Sequence, residues 1–146
     1  MKDPYLKPVI FGGLFISLLS VVFAPGIFLW ALIGGYLTIR VANKITKEAL
    51  SLIDILLLGT FSGTIGGTCL DVITTLSFKT PENRHSLILT LEKNWPKDIT
   101  IPDFNKILPS IFLTTCVFII IISIVFAVIG AFIGRYISEK KAINNN

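Results

Sequence analysis

An aspartate inside an apolar stretch is the residue of this sequence best placed to do chemistry. Asp71 lies in residues 50–78, a stretch long enough to cross a bilayer, whose other charged residue is Asp54. A carboxyl group at such a depth is costly unless it meets a partner or water, and it could carry protons or bind a cation. The alternative is a satisfied polar residue near the membrane interface. Its expected hydrogen-bonding partners are hydroxyls among Thr68, Thr74, Thr75, Thr114 and Thr115.

The other residues that could catalyse reactions lie far apart. His85, the one histidine, falls in a polar segment, and Cys69 and Cys116 fall in different apolar stretches. No histidine lies inside an apolar stretch, where its imidazole could activate a serine or cysteine. No glycine loop with a phosphate-binding lysine precedes a helix. The thiols and the imidazole share no metal-ligand spacing. We therefore predict no catalytic residue, no metal site and no cofactor, and we expect that the protein is not an enzyme.

Small residues recur at four-residue steps on the stretch that holds Asp71. Gly59, Gly63 and Gly67 lead to Asp71 and then Thr75. In lipid, small residues four apart let two helix backbones touch, so the pattern predicts a glycine zipper. The partner helix is either in the same chain or in another copy. The predicted helix-packing residues are Gly59, Gly63, Gly67, Gly34, Gly35, Gly130 and Gly134.

Composition indicates a membrane protein. The mean hydropathy is +0.79, 53% of residues are hydrophobic and 15% are charged, which lies outside the range of soluble globular domains. The net charge is +4, but the sequence has no basic stripe with interleaved aromatic residues, as binding to nucleic acid would require. Its cations instead flank the apolar stretches. The lipid bilayer is therefore the predicted partner, and nucleic acid is not.

The apolar stretches predict four spans in one transmembrane domain, residues 1–146. The expected spans are about 5–23, 26–42, 50–78 and 107–134. Residues 8–39 are uncharged, about 48 Å as one helix, so we expect a break at Ala24-Pro25-Gly26. The alternative for the first 42 residues is one long helix kinked at the proline. The third span is expected to be capped near Ser51 or Asp54.

The distribution of lysine and arginine predicts the orientation. Four spans put both termini on one side of the membrane with eight cations: Lys2, Lys7, Arg40, Lys44, Lys47, Arg135, Lys140 and Lys141. The other side holds five, Lys79, Arg84, Lys93, Lys97 and Lys106, together with four acids. This bias places both termini in the cytoplasm of a cell membrane and makes 79–106 an exoplasmic loop. Within it, residues 86–93 form either a short amphipathic helix on the membrane surface or a folded cap.

These observations predict an all-α fold, an integral membrane four-helix bundle. Residues 31–37 and 127–133 have similar sequences, which suggests two tandem helical hairpins unless apolar segments simply resemble one another by chance. The leading functional hypothesis is a structural, assembly or accessory subunit that meets a membrane-protein partner. The alternative is an oligomeric pore or ion transporter, holin-like or channel-like, in which copies meet at the glycine face and Asp71 lines the path.

Overall fold

Helices account for nearly all of the described chain. The computed structural model describes residues 4–46, 50–96, 98, 100 and 102–144. The α-helices are α1 (Leu6–Val22), α2 (Ile27–Thr46), α3 (Leu52–Phe78), α4 (Pro81–Asn94) and α5 (Phe104–Asn144), and a 3-10 turn, Ala24–Gly26, links α1 to α2. The predicted all-α class is therefore confirmed. Three cations used to assign the orientation, Lys2, Lys47 and Lys97, lie outside the described residues.

Three segments are long and apolar enough to cross a membrane. They are Ala24–Thr46, α3, and Lys106–Lys140 within α5. This finding confirms apolar helices of membrane-spanning length at three of the four predicted positions. α1 is also apolar, but its 17 residues lie at the lower limit for the roughly 30 Å hydrocarbon core. The first span therefore stays a prediction.

The first apolar stretch forms two helices rather than one kinked helix. Pro25 lies inside the 3-10 turn, and the indole Nε1 of Trp30 donates a hydrogen bond to the Phe23 carbonyl oxygen at 3.2 Å, closing the turn. The two helices then pack against each other, with Gly12 facing the backbone of Gly34. The proline and the indole contact together reverse the chain.

A capping box starts α3 at the predicted place. The Ser51 Oγ accepts a hydrogen bond from the Asp54 backbone N–H at 3.1 Å, and the Asp54 carboxylate accepts one from the Ser51 N–H at 3.0 Å. Both donors would otherwise lack partners at a helix start. Asp54 is thus occupied by the cap.

The segment after α3 contains a longer helix than the sequence suggested. α4 begins at Pro81, a first-turn position where the fixed φ of proline suits a helix, instead of near residue 86. It packs against the end of α3 and contains no buried residue. The predicted helix is therefore present, and the choice between a helix on the membrane surface and a folded cap over the other helices stays a prediction.

α5 continues beyond the predicted end at residue 134. Arg135 and Glu139 form an ion pair one turn apart at 2.6 Å, which supports the helix after its apolar part ends. The Asn43 amide of α2 donates a hydrogen bond to the Ser138 hydroxyl at 3.4 Å. The hydropathy pattern predicts only the apolar part of this helix, so it does not predict the polar extension.

The helices other than α4 pack as neighbours in the order α1, α2, α5, α3, with α3 returning to α1 and also contacting α2. α1 and α3 run in the same direction, because Gly13 meets Ile65 and Ile16 meets Gly66. α2 and α5 run the opposite way. α1 and α2 are therefore antiparallel, and so are α3 and α5.

The closest backbone approach lies between α2 and α5. A Cβ added at Gly35 would overlap the carbonyl oxygen of Ala127, and one added at Gly130 would overlap the carbonyl oxygen of Leu32. At Gly134, one turn further along, the added atom would lie 3.1 Å from the Tyr36 oxygen. Only hydrogen fits at the first two positions without moving a helix.

This contact predicts different costs for three alanine substitutions. Gly35→Ala and Gly130→Ala gain about 1 kcal/mol of helix propensity, but each forces backbone apart at a cost of about 1–3 kcal/mol or more. Gly134→Ala should be close to neutral. Unfolding by sodium dodecyl sulfate in mixed micelles measures the difference. Equal stability of all three variants would contradict the backbone contact.

The capping box predicts a smaller effect at the start of α3. Ser51→Ala should lower the free energy of unfolding by about 1 kcal/mol, because the Asp54 N–H loses its acceptor. Ser86→Ala, at an exposed position of α4, is the control and should change stability by less than about 0.5 kcal/mol. The same titration measures both, and equal effects would argue against the cap.

Candidate functional site

The glycine stripe of α3 lies against α5 of the same chain. A Cβ added at Gly59 would come within 2.8 Å of the Val128 Cα, and one at Gly63 within 2.6 Å of the Ile124 Cα. Gly67 continues the contact, at 2.9 Å from the Ile120 Cα. The residue numbers of the α5 contacts decrease as those of the α3 glycines increase, so the two helices are antiparallel.

The other predicted packing glycines also lie at contacts between helices. Gly34 faces Ile16 of α1, and its neighbour Gly35 faces α5. Gly130 and Gly134 both face α2. Each predicted glycine therefore touches another helix of this chain.

Gly12 and Gly66, each of which is next to another glycine, make helix contacts that the four-residue pattern did not predict. A Cβ at Gly66 would lie 2.8 Å from the Cβ of Ile16, and one at Gly12 would overlap the Thr38 hydroxyl. The doublets 12–13 and 66–67 were the available signal, since adjacent helical residues point about 100° apart. A doublet therefore serves two neighbouring helices at once.

Asp71 is buried where the glycine stripe ends. The residue is 8% exposed. It lies about 9 Å beyond the middle of α3, towards Phe78, by helix rise. Neither carboxylate oxygen has a hydrogen-bond partner. The Cys116 thiol of α5 approaches the carboxyl group, but without the geometry of a hydrogen bond.

The hydroxyls expected to satisfy Asp71 do not do so. Thr68, Thr114 and Thr115 are exposed on the outside of their helices. Thr74 donates to the carbonyl oxygen of Leu70, four residues earlier, at 2.8 Å. Such local bonds are readily available to threonine in a helix, whereas a bond to Asp71 would require a side chain on the same face. The expected carboxyl–hydroxyl bonds are therefore absent.

Further hydroxyls are buried among the helices. Ser17, Thr38 and Ser62 each donate to a carbonyl oxygen of their own helix, at 3.1, 2.9 and 3.0 Å. Ser20 and Ser123 are completely buried, and their hydroxyls have no partner. The described interior therefore contains small polar side chains together with one carboxyl group.

A cleft of about 400 Å³ lies between α3, α4 and α5, above Asp71 on the α4 side. Its walls are mainly apolar, and it is lined by Thr75, Phe78, Lys79, Arg84, Leu87, Leu108, Pro109 and Phe112. Phe78 and Phe112 meet edge to face across it, with ring centroids 5.7 Å apart. A second cleft of about 420 Å³ lies between α1 and α3 at the opposite end, beside Asp54.

The remaining reactive residues form no cluster with Asp71. His85 is exposed on α4, and Cys69 is a half-buried free thiol on α3. Within the part of the chain that the structure describes, no three histidine, cysteine, aspartate or glutamate side chains are grouped to hold a metal ion. The candidate site is therefore Asp71, its Cys116 neighbour and the cleft above them.

Comparison with known proteins adds no family to this description. No family model, curated protein or solved structure matches the chain.

Proposed function

We propose that this chain is an integral membrane protein in which α1, α2, α3 and α5 form a four-helix bundle. We propose further that it acts as a structural, assembly or accessory subunit of a membrane assembly. The single observation that carries the proposal is the distribution of side chains. Glycines, alanines and hydroxyl side chains occupy much of the interior beside a few large apolar residues, such as Ile16, Ile39 and Ile55. Many more large apolar residues cover the outside.

The exposed residues are those that a soluble protein buries. Leu18, Val22, Phe61, Leu113 and Phe118 are each more than half exposed. In water, an apolar surface of this extent would drive aggregation. In a bilayer it faces hydrocarbon at no such cost, and close packing of small residues supplies the attraction between helices.

The described clefts also favour a role in packing over a role in transport. Both are partly open and lie between helices at opposite ends of the molecule. Between them, glycines bring α3 into backbone contact with α5 at the level of Gly63. A membrane-protein partner would meet the apolar outer surface or α4, which contributes no residue to the core.

The two hairpins, α1 with α2 and α3 with α5, are parallel, as the proposed orientation requires. α1 and α3 start at the same end, so Tyr5, Lys44 and Asp54 belong to one side, proposed to be cytoplasmic. α4 belongs to the other side, with Leu87, Ile88 and Leu91 half-buried along it. We propose that this helix lies on the exoplasmic surface of the cell membrane.

An oligomeric pore is the alternative, and Asp71 is the observation that favours it, because an unpartnered carboxyl group could serve ion passage. The glycine face of α3 is already in contact with α5. A pore that placed this face between copies would therefore require α5 to move away. Contacts through the outer surface would leave α5 in place.

Membrane insertion and orientation can be tested together. The chain should stay with membranes in alkaline carbonate. With Cys69 and Cys116 replaced by alanine, Glu92→Cys should react with an impermeant maleimide in intact cells, whereas Lys44→Cys should react only after permeabilisation. Release by carbonate would contradict membrane insertion, and labelling of both cysteines in intact cells would contradict the orientation.

Internal packing and self-assembly predict different results for Gly63→Leu. Internal packing predicts loss of the folded chain at every protein concentration, because the leucine would meet the Ile124 backbone. Assembly through this face predicts a folded particle of lower mass. Light scattering in detergent with circular dichroism separates the two, and Phe61→Leu, at a residue 55% exposed, is the matched control.

Ion flux distinguishes an accessory subunit from a pore. Vesicles containing the wild-type chain should leak no faster than empty vesicles. Flux above that background, reduced by Asp71→Asn, would instead support the pore. Asp54→Asn is the control, because Asp54 caps α3 at the other end.

A further inference from the structure

We infer that Asp71 is a proton-binding site inside the membrane, reached from the cleft between α3, α4 and α5. The inference rests on the membrane placement proposed above and goes beyond a packing role. It assigns a chemical property to one buried side chain and a route by which a small molecule approaches it.

The first step is the burial of Asp71 without a partner. More than nine-tenths of the residue is buried, and both carboxylate oxygens are inaccessible to solvent and lack hydrogen bonds. An ionised carboxylate in this state costs several kcal/mol or more, by the general penalty for burying an uncompensated charge. A cation, a set of donors or a bound proton must remove that cost.

A cationic side chain is not in place to do so. On α5 the titratable group that faces Asp71 is the Cys116 thiol. The cations of α1 and α2, which are Lys7, Arg40 and Lys44, lie towards the opposite end of these helices. Lys79 is about 12 Å further along α3 by helix rise, and Arg84 lies beyond it on α4.

A metal cation also lacks ligands at this position. Hard cations need several oxygen atoms arranged around them. Among the described residues, no three histidine, cysteine, aspartate or glutamate side chains are grouped so that they could hold a metal ion, here or elsewhere. A proton needs no such arrangement, since it binds one oxygen and removes the charge. The geometry thus favours a carboxylic acid over a metal carboxylate.

The cleft supplies the route of approach. Thr75 lies one turn beyond Asp71 on α3 and lines the cleft. On α5, Phe112 lines it one turn before Cys116. Asp71 therefore lies about one helical turn, roughly 5 Å along α3, from the lining residue Thr75, on the side of it away from Phe78.

Reaction with dicyclohexylcarbodiimide tests both the proton and the route. The acid adds across one C=N bond: the carboxylate oxygen bonds to the central carbon and the proton moves to nitrogen. The resulting O-acylisourea rearranges to an N-acylurea, so the whole reagent adds and nothing leaves. In liposomes at neutral pH, mass spectrometry should find this addition at Asp71. The addition should be lost in Asp71→Asn and retained in Asp54→Asn.

Infrared spectroscopy of the chain in liposomes of ether-linked lipids, which contain no ester carbonyl group, gives a second readout. The wild-type chain should show the carbonyl stretch of a protonated carboxylic acid, and Asp71→Asn should lack it. Absence of this band in the wild type would overturn the bound proton. Presence of the band without carbodiimide addition would overturn the route through the cleft, and addition to the wild-type chain at a residue other than Asp71 would overturn the assignment to Asp71.

These outcomes are separate from the test of membrane insertion. A chain released by carbonate would defeat the proposed function. A chain that resists carbonate but shows neither the addition nor the band would defeat this inference alone. Matching circular dichroism spectra for the wild type, Asp71→Asn and Asp54→Asn would establish that the compared proteins are folded.

Discussion

Backbone approaches backbone in the interior of this molecule because the side chains between the helices are too small to keep them apart. Gly63 lies against the Ile124 backbone, and Gly35 and Gly130 leave no room for a methyl group. Dispersion contacts between helices depend steeply on distance, so closely apposed backbones provide attraction that would be lost if the helices separated. These glycines set how closely α2 and α3 approach α5.

The same close packing explains why buried hydroxyl groups form hydrogen bonds within their own helices. A narrow interior has little room for side chains to reach across to a neighbouring helix, so Ser17, Thr38 and Ser62 bond to carbonyl oxygens of their own helices. Asp71 has no equivalent local bond in the structure. A carboxylate offers acceptors only, and the backbone N–H groups of its helix are already used, so an added proton is the simplest way to remove its charge.

The fold could be predicted wherever local chemistry decides it. Pro25 breaks the first apolar stretch because proline removes a donor, and Ser51 with Asp54 starts α3 because the two side chains accept the free N–H groups. The ends of α4 and α5 could not be predicted from hydropathy. Their polar turns are supported by Pro81, by the Arg135–Glu139 pair and by the contact of Asn43 with Ser138, none of which changes the apolar pattern.

By itself, the sequence determined that the chain forms apolar helices, where they break, and which faces carry small residues, because these properties follow from composition and from the helical repeat. The tertiary structure alone decided that Gly34 meets α1 while Gly35 meets α5, that the stripe of α3 lies against α5 of the same chain, and that Asp71 has no hydrogen-bond partner. A helical repeat specifies the direction in which a residue points. It does not specify which neighbour lies in that direction, since every apolar helix offers a similar surface.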